Sequence, residues 1–268
     1  MRKTILRKFI AYSALAILIL QSCKDDSNLV KPLPIPDQSF VEEFDTISAA
    51  ASRGWKFINR SQPIGPQDWV QGQTGNQVAN ITAYSSKATS NGFISNDYSA
   101  AYSLNVGEAD LSTFVVSPSV ILQNGDRIIF YTRETDSISR WADRLQVCYN
   151  NIDDGFTDLG RGVDAGKYKT VLLDINPIMA SGYSYFASVP PPSPFDPSIP
   201  YIPDNANAYP RTWTRFDVMV RGLDKPLRSR FAFRYFIPRG GAFTNGLVGG
   251  RGSDISIDSV AFVSASHK

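Results

Sequence analysis

Arg230-Phe231-Ala232-Phe233-Arg234-Tyr235-Phe236-Ile237 is the stretch that decides the fold. Phe231, Phe233, Tyr235 and Ile237 fall on every second residue, the period at which strand side chains return to one face. The alternation predicts a β-strand with these four turned to a core and Arg234 turned outward. Residues 214–220 repeat it, with Phe216, Val218 and Val220 opposite Asp217 and Met219. Residues 255–263 form a third such run, expected to pair with 227–237 across the core. Earlier candidates are 40–45, 55–59, 78–84, 113–120, 127–133, Leu145–Tyr149 and 168–175. No long stretch carries a convincing helical period. About ten strands separated by turn signals predict an all-β fold, an antiparallel jelly-roll-like β-sandwich.

Two irregularities qualify that plan. Ile255 and Ile257 share one parity, whereas Val260 and Phe262 take the other. A strand with one buried face needs an extra residue to absorb the switch, so a β-bulge is expected at Asp258-Ser259. The second irregularity is residues 177–210, which hold nine of the 17 prolines together with Tyr183, Tyr185, Phe186, Phe195, Tyr201 and Tyr209. A loop of this length inside one domain is often functional, and it can equally be an insertion packing its own aromatics on the sandwich.

The N-terminus is a targeting segment. Arg2, Lys3, Arg7 and Lys8 precede an apolar run from Phe9 to Leu20, too short for a bilayer-crossing helix. The run ends in Leu20-Gln21-Ser22-Cys23, which resembles a lipobox. That resemblance implies residues 1–22 as a lipoprotein signal peptide, cleaved to leave Cys23 acylated. Lys24-Asp25-Asp26 resembles the short acidic signal that sends lipoproteins of Bacteroidota to the cell surface. Pro32, Pro34 and Pro36 favour an extended spacer, making 23–38 a lipidated tether and 39–268 the sandwich. The expected address is the outer membrane, lipid-anchored and exposed at the surface.

Composition removes several chemistries. Taking the four basic residues of 1–22 from 27 leaves 23 Lys plus Arg against 25 Asp plus Glu, which offers nucleic acid no electrostatic footing. With Cys23 acylated, Cys148 has no disulfide partner; it falls opposite Leu145, Val147 and Tyr149 and reads as a small hydrophobe in a sheet. His267 is the one histidine and the penultimate residue, so histidine-based triads and zinc sites are excluded from the fold. No cofactor is required. A structural calcium ion is the one candidate, because paired terminal strands would bring Glu43 and Asp45 to a bulged Asp258, and calcium takes about six to eight oxygen ligands. The alternative is that Glu43 and Asp45 are solvated while Asp258 accepts backbone N–H bonds at its bulge.

From residue 39 to 263 the chain resembles the choice-of-anchor J β-sandwich domains of Bacteroidota, relatives of cleaved-adhesin jelly rolls. The matching pieces are 40–45 with Gly54-Trp55, Phe114-Val-Val-Ser-Pro118, Asp143-Arg-Leu-Gln-Val147, Trp213-Thr-Arg-Phe216, Gly222-Leu223, 230–235 and 255–260. The resemblance implies a surface or lipid-anchored jelly roll linked to adhesion and carbohydrate recognition, in some relatives with structural calcium. The leading expectation is a non-catalytic module for glycan or another extracellular polymer. Its candidate ligand-binding residues are Trp69, Trp141, Tyr183, Tyr185 and Tyr201, with Trp55 and Trp213 assigned to the core. The alternative is a structural or assembly lipoprotein binding protein partners. A glycoside hydrolase stands behind both, since Glu42, Glu43, Glu108, Asp110, Glu134, Asp136, Asp143, Asp153 and Asp154 include carboxylates enough for one.

Overall fold

Two antiparallel sheets pack face to face in the computed structural model, which describes residues 34–72, 82–84, 92–103, 109–134, 142–180, 207–240, 242–243 and 252–267. The chain divides into Met1–Pro36 and Asp37–Lys268, and the sandwich lies in the second unit. One sheet holds β1 (Phe40–Glu42), β3 (Val70–Gln71), β4 (Ile94–Asp97), β8 (Arg127–Glu134), β11 (Thr214–Met219) and β15 (Asp254–Val263). Its order is β11-β8-β15-β4-β3, with β1 also on β15. The other is ordered β10-β9-β13-β6-β2, from β2 (Lys56–Asn59), β6 (Ala109–Val116), β9 (Leu145–Tyr149), β10 (Thr170–Ile175) and β13 (Phe231–Gly240). Two short pairs flank them: β7 (Val120–Leu122) with β12 (Leu227–Ser229), and β5 (Tyr102–Ser103) with β14 (Ala242–Phe243). The one α-helix described, α1 (Ile47–Ser52), begins at Thr46, whose side chain accepts from the Ala49 amide. The all-β antiparallel sandwich read from period-two alternation is therefore the fold.

The decisive stretch behaves as its period requires on one face only. Phe231, Phe233, Tyr235 and Ile237 are fully buried between the sheets. Phe231 stacks on Phe262 of β15 at 6.0 Å, and Phe233 meets Phe130 edge-on at 4.8 Å. β13 and β15 thus meet through side chains across the core, while their hydrogen bonds go to different sheets. Residues 227–229 form a separate strand paired with β7. Arg234 departs from the expectation. It takes the outward face but is only 3% exposed, because that face is itself covered.

The bulge falls where the parity switch places it. The ladder from β15 to β8 shifts register between Asp258 and Ala261, and Ser259 has a φ of 49°. The two halves of β15 also have different neighbours: residues up to Ile257 pair with β4, and Val260 to Phe262 pair with β1. The extra residue lets one strand serve both partners while keeping Ile255, Ile257, Val260 and Phe262 in the core.

Several boundaries moved. The strand expected at 40–45 stops at Glu42, because Phe44 turns to a φ of 49° to enter the core. Strand β6 begins at Ala109 and ends before Ser117-Pro118, where proline supplies no ladder donor. Of 78–84, residues 82–84 are described and are not strand; 78–81 lie outside the described residues.

Candidate functional site

Each sheet has an outward face, and the two are finished differently. Over the five-stranded sheet lies the segment 150–169, which builds a second core from Phe114, Val116, Cys148, Leu159, Tyr168 and Ala232. Arg234 is its anchor. Nε donates to Ser112 Oγ at 2.9 Å, and Nη2 donates to the carbonyls of Gly162, Val163 and Asp164 at 2.7, 3.2 and 3.2 Å. The guanidinium also lies 3.9 Å from the Phe236 ring centroid. Burial pushes it down to about 10, and burial pushes the neighbouring Cys148 thiol up to about 12. A buried, protonated thiol packs; it does not attack. This face is closed.

The six-stranded sheet presents an open face over β8 and β11. Alternation puts Arg127, Ile129, Tyr131 and Arg133 of β8, and Arg215, Asp217 and Met219 of β11, on its outside, opposite the buried Ile128, Phe130 and Val218. Trp213 continues the β11 parity. It is half-buried, meets Phe93 edge-on at 5.7 Å, and donates from Nε1 to the Thr82 carbonyl at 2.9 Å. That bond and a second, from the Tyr84 amide to Asp258 Oδ2 at 2.7 Å, hold residues 82–84 across the sheet. Tyr84 is thereby stacked on Tyr131, ring centroids 3.5 Å apart and planes 16° from parallel, and remains 43% exposed. A side-chain hydrogen bond with Tyr131 raises the Tyr84 phenol first, and burial adds to it.

Beside this stack is a charged group of three. Arg127 approaches Asp217 with both Nε, at 2.9 Å, and Nη2, while Arg215 donates from Nη2 at 2.9 Å. Burial alone would raise Asp217, yet the two guanidiniums hold it below the usual carboxylate range. The arrangement presents an aromatic ring, a shared carboxylate and exposed guanidinium donors on one sheet face.

The sequence-derived candidates fare unevenly. Trp69 is a correction: it is 4% exposed and part of the main core, its indole N–H without a hydrogen-bond partner among the described residues. It lies beside the short edge strand β3, where an apolar ring gains more from the core than from water. Trp213, assigned to the core, is the reverse correction and covers the open face. Trp55 is 1% exposed and is core as expected. Trp141, Tyr183, Tyr185, Tyr201 and Cys23 lie outside the described residues, as do Glu108 and Asp136.

Glu43, Asp45 and Asp258 do not gather into a cation site; the described residues hold no group of three or more His, Cys, Asp or Glu that could bind a metal ion. Asp258 is fully buried and accepts from the amides of Ser259 and Tyr84, at 2.6 and 2.7 Å. Asp45 is exposed. Several of the hydrolase carboxylates that are described have structural company. Glu42 pairs with Arg53 at 2.5 Å, and Asp153 with Lys167 at 2.6 Å. Asp143 accepts from the Tyr235 hydroxyl and the Ser253 amide, and Glu134 lies 3.7 Å from Arg211.

Tyr84, Tyr131, Arg215, Asp217 and Arg127 were not among the sequence candidates. Half of the signal was present, since the alternation of 214–220, extended one residue, puts Trp213 outside with Arg215. Tyr84 is placed by hydrogen bonds to distant residues, its own amide to Asp258 across 174 residues and the Thr82 carbonyl to Trp213 across 131.

No family model matches the chain, and no curated protein does. Similar solved structures include the K1 cleaved adhesin domain of Lys-gingipain from Porphyromonas gingivalis W83, with a TM-score of 0.44 and 18% identity over 84% of this chain and 96% of that one. The K3 domain of the same protein gives 0.42 and 15%, covering 85% and 100%. A family 11 carbohydrate-binding module from Clostridium thermocellum, solved with a mixed-linked tetrasaccharide, gives 0.28 and 12%, covering 91% and 95%. Cleaved-adhesin domains are thus among the similar structures, while no model of the choice-of-anchor J family matches. Scores below 0.5 leave the fold to rest on this chain's own ladders.

Proposed function

We propose that this chain is a lipid-anchored, surface-displayed binding module whose open sheet face holds a glycan or another extracellular polymer without catalysis. The observation that carries this is the Tyr84/Tyr131 stack, exposed beside the Arg127–Asp217–Arg215 group. A sugar ring offers an apolar C–H face that packs on an aromatic ring, and its hydroxyls suit charged donors and acceptors at the rim. A small molecule is normally engulfed in a concave pocket, whereas an extended chain can run along the outer face of a sheet. Asp217 is poorly fitted to acid catalysis, because a proton donor needs a raised pKa and this carboxyl is held down.

A glycan array probed with the purified full-length protein tests the reading. Retention of one saccharide class, weakened roughly tenfold or more by Tyr84→Ala with the fold intact, is the expected result. Retention of no saccharide, or a Tyr84→Ala variant that binds like the parent, sinks it. Val41 and Met219, 59% and 43% exposed on the same sheet, favour the second reading, an envelope assembly protein that binds protein partners. Capture of one envelope protein through Met219 in place of any sugar would select it.

The address rests on sequence. The basic start, the apolar run and Leu20-Gln21-Ser22-Cys23 support acylation at Cys23, with 23–38 as the tether. Cys23→Ala is expected to move the protein from the detergent phase to the aqueous phase; a variant that stays with the membrane is not anchored through this thiol.

A further inference from the structure

We infer that the polymer this face takes is acidic: a uronate-bearing polysaccharide whose carboxylate sits on Arg215 and whose ring sits on Tyr84. The inference rests on the glycan reading above and sharpens it.

The charges over β8 and β11 do not cancel. Their outward positions carry Arg127, Arg133 and Arg215 against a single carboxylate, Asp217. The carboxylates farther across belong to β15 and β4 and are engaged. Asp258 is fully buried under two backbone N–H groups, Asp97 accepts from the Ser99 amide, and Asp254 lies buried opposite Asp97 in the ladder. Arg133 is half-buried and turns its Nε to the Glu134 carbonyl. The excess charge therefore stands at the Arg127–Asp217–Arg215 group.

Within that group the two arginines are not equivalent. Arg127 engages Asp217 through both Nε and Nη2, whereas Arg215 reaches it through Nη2 alone. A guanidinium has five N–H donors. Those on Nε and Nη1 of Arg215 have no hydrogen-bond partner among the described residues, and the side chain is 47% exposed. Arg215 is also directly opposite Tyr131 in the ladder, and its charge is felt at the Tyr84 phenol of the ring pair. A ring on Tyr84 thus has an unfilled guanidinium next to it. A planar carboxylate matches the fork of that guanidinium, as Asp217 already does on Arg127; a tetrahedral sulfate matches it less well, and a neutral hydroxyl leaves the charge uncompensated.

The test compares polygalacturonate and alginate with their methyl-esterified forms, which keep the sugar and remove the charge. Dextran sulfate is the third probe. Titration calorimetry on the full-length protein is expected to show at least one uronate polymer bound roughly tenfold or more tightly than its ester, with the difference shrinking as salt rises. Arg215→Gln is expected to erase that difference, so acid and ester bind alike, while Tyr84→Ala weakens both. Both positions are exposed, and unchanged melting would show that neither variant acts through unfolding. Equal affinity for acid and ester in the parent overturns the uronate assignment and leaves the glycan reading standing. So does dextran sulfate binding as tightly as the uronates with no loss in Arg215→Gln. Absence of any polymer binding here, with a neutral saccharide retained on the array, overturns it as well. If no sugar of either kind binds, both readings fall.

Discussion

On the outside of β13 stand Ala232, Arg234 and Phe236, with Arg230 one step before; on the outside of β11 stand Arg215, Asp217 and Met219, with Trp213 one step before. Both rows mix arginine with a large ring on the face opposite an apolar core. Arg234 is 3% exposed and Arg215 is 47% exposed. The difference comes from elsewhere in the chain. Residues 150–169, between β9 and β10, fold back over β13 and give Arg234 three carbonyls, whereas the described cover over β11 and β8 is the short piece 82–84. Alternation decides which face a side chain takes, but a distant loop decides whether that face is wet. The same residue type becomes a fold anchor on one sheet and stays exposed to solvent on the other.

The comparison breaks most easily at Arg234. Arg234→Ala strips the Gly162, Val163 and Asp164 carbonyls of their shared donor and opens a void beneath them, so a loss of about 3 kcal/mol in denaturant unfolding is expected. Cys148 reports on the same event. Its thiol is fully buried and inert in the parent, and should react with a thiol reagent under native conditions once the cover loosens. A loss below about 1 kcal/mol, with Cys148 still protected, would mean that the apolar contacts of Phe114, Leu159 and Tyr168 hold the cover without the arginine.

A smaller effect is expected on the other face. Trp213→Ala removes the bond to Thr82 and the edge contact with Phe93, at a cost of about 1–2 kcal/mol, because the ring is already half in water. It should also weaken ligand binding, since the segment that carries Tyr84 loses one of its two ties to the sheet. A destabilisation equal to that of Arg234→Ala would make 82–84 a second true cover and remove the contrast between the faces.

These differences also mark what was legible in the sequence. The longer strands with clear alternation were readable, Leu145–Tyr149 to the residue, and so was the bulge at Asp258, because parity is a local property that burial enforces. Short strands such as β3 and β4 were not, since two to four residues carry too little alternation to count. Trp69 and Trp213 were exchanged for one reason. A Gly/Gln-rich neighbourhood suggested exposure for the first and a strand start suggested burial for the second, but both outcomes depend on which distant segment arrives. The open face combines β8 and β11, legible from period two, with Tyr84, which joins them through the distant ties to Asp258 and Trp213.

The smallest effect concerns how the cover of the five-stranded sheet is tied at its rim. Asp153 and Lys167 lie near the two ends of the covering segment and pair at 2.6 Å. The Asp153 carboxyl is held at about 2, first by the hydrogen bond from Lys167, then by the Gly155 amide and the Asn150 side chain. A carboxyl held below its unfolded value contributes stability that is fully present above that value, roughly 3.9, and is lost as pH falls toward about 2. Lys167→Ala removes the largest cause while leaving the Gly155 and Asn150 bonds in place. The variant should therefore melt slightly below the parent at pH 5 to 7, and the two curves should converge as pH falls from 4 to 2, where the parent loses what the variant never had. Salt should shrink the gap at neutral pH, since the pair is exposed to solvent. Cys148 should stay protected in the variant throughout, because the buried Arg234, not this rim pair, holds the segment down. A thiol that becomes reactive in Lys167→Ala at neutral pH would reverse that order and make the surface ion pair the fastening of the closed face.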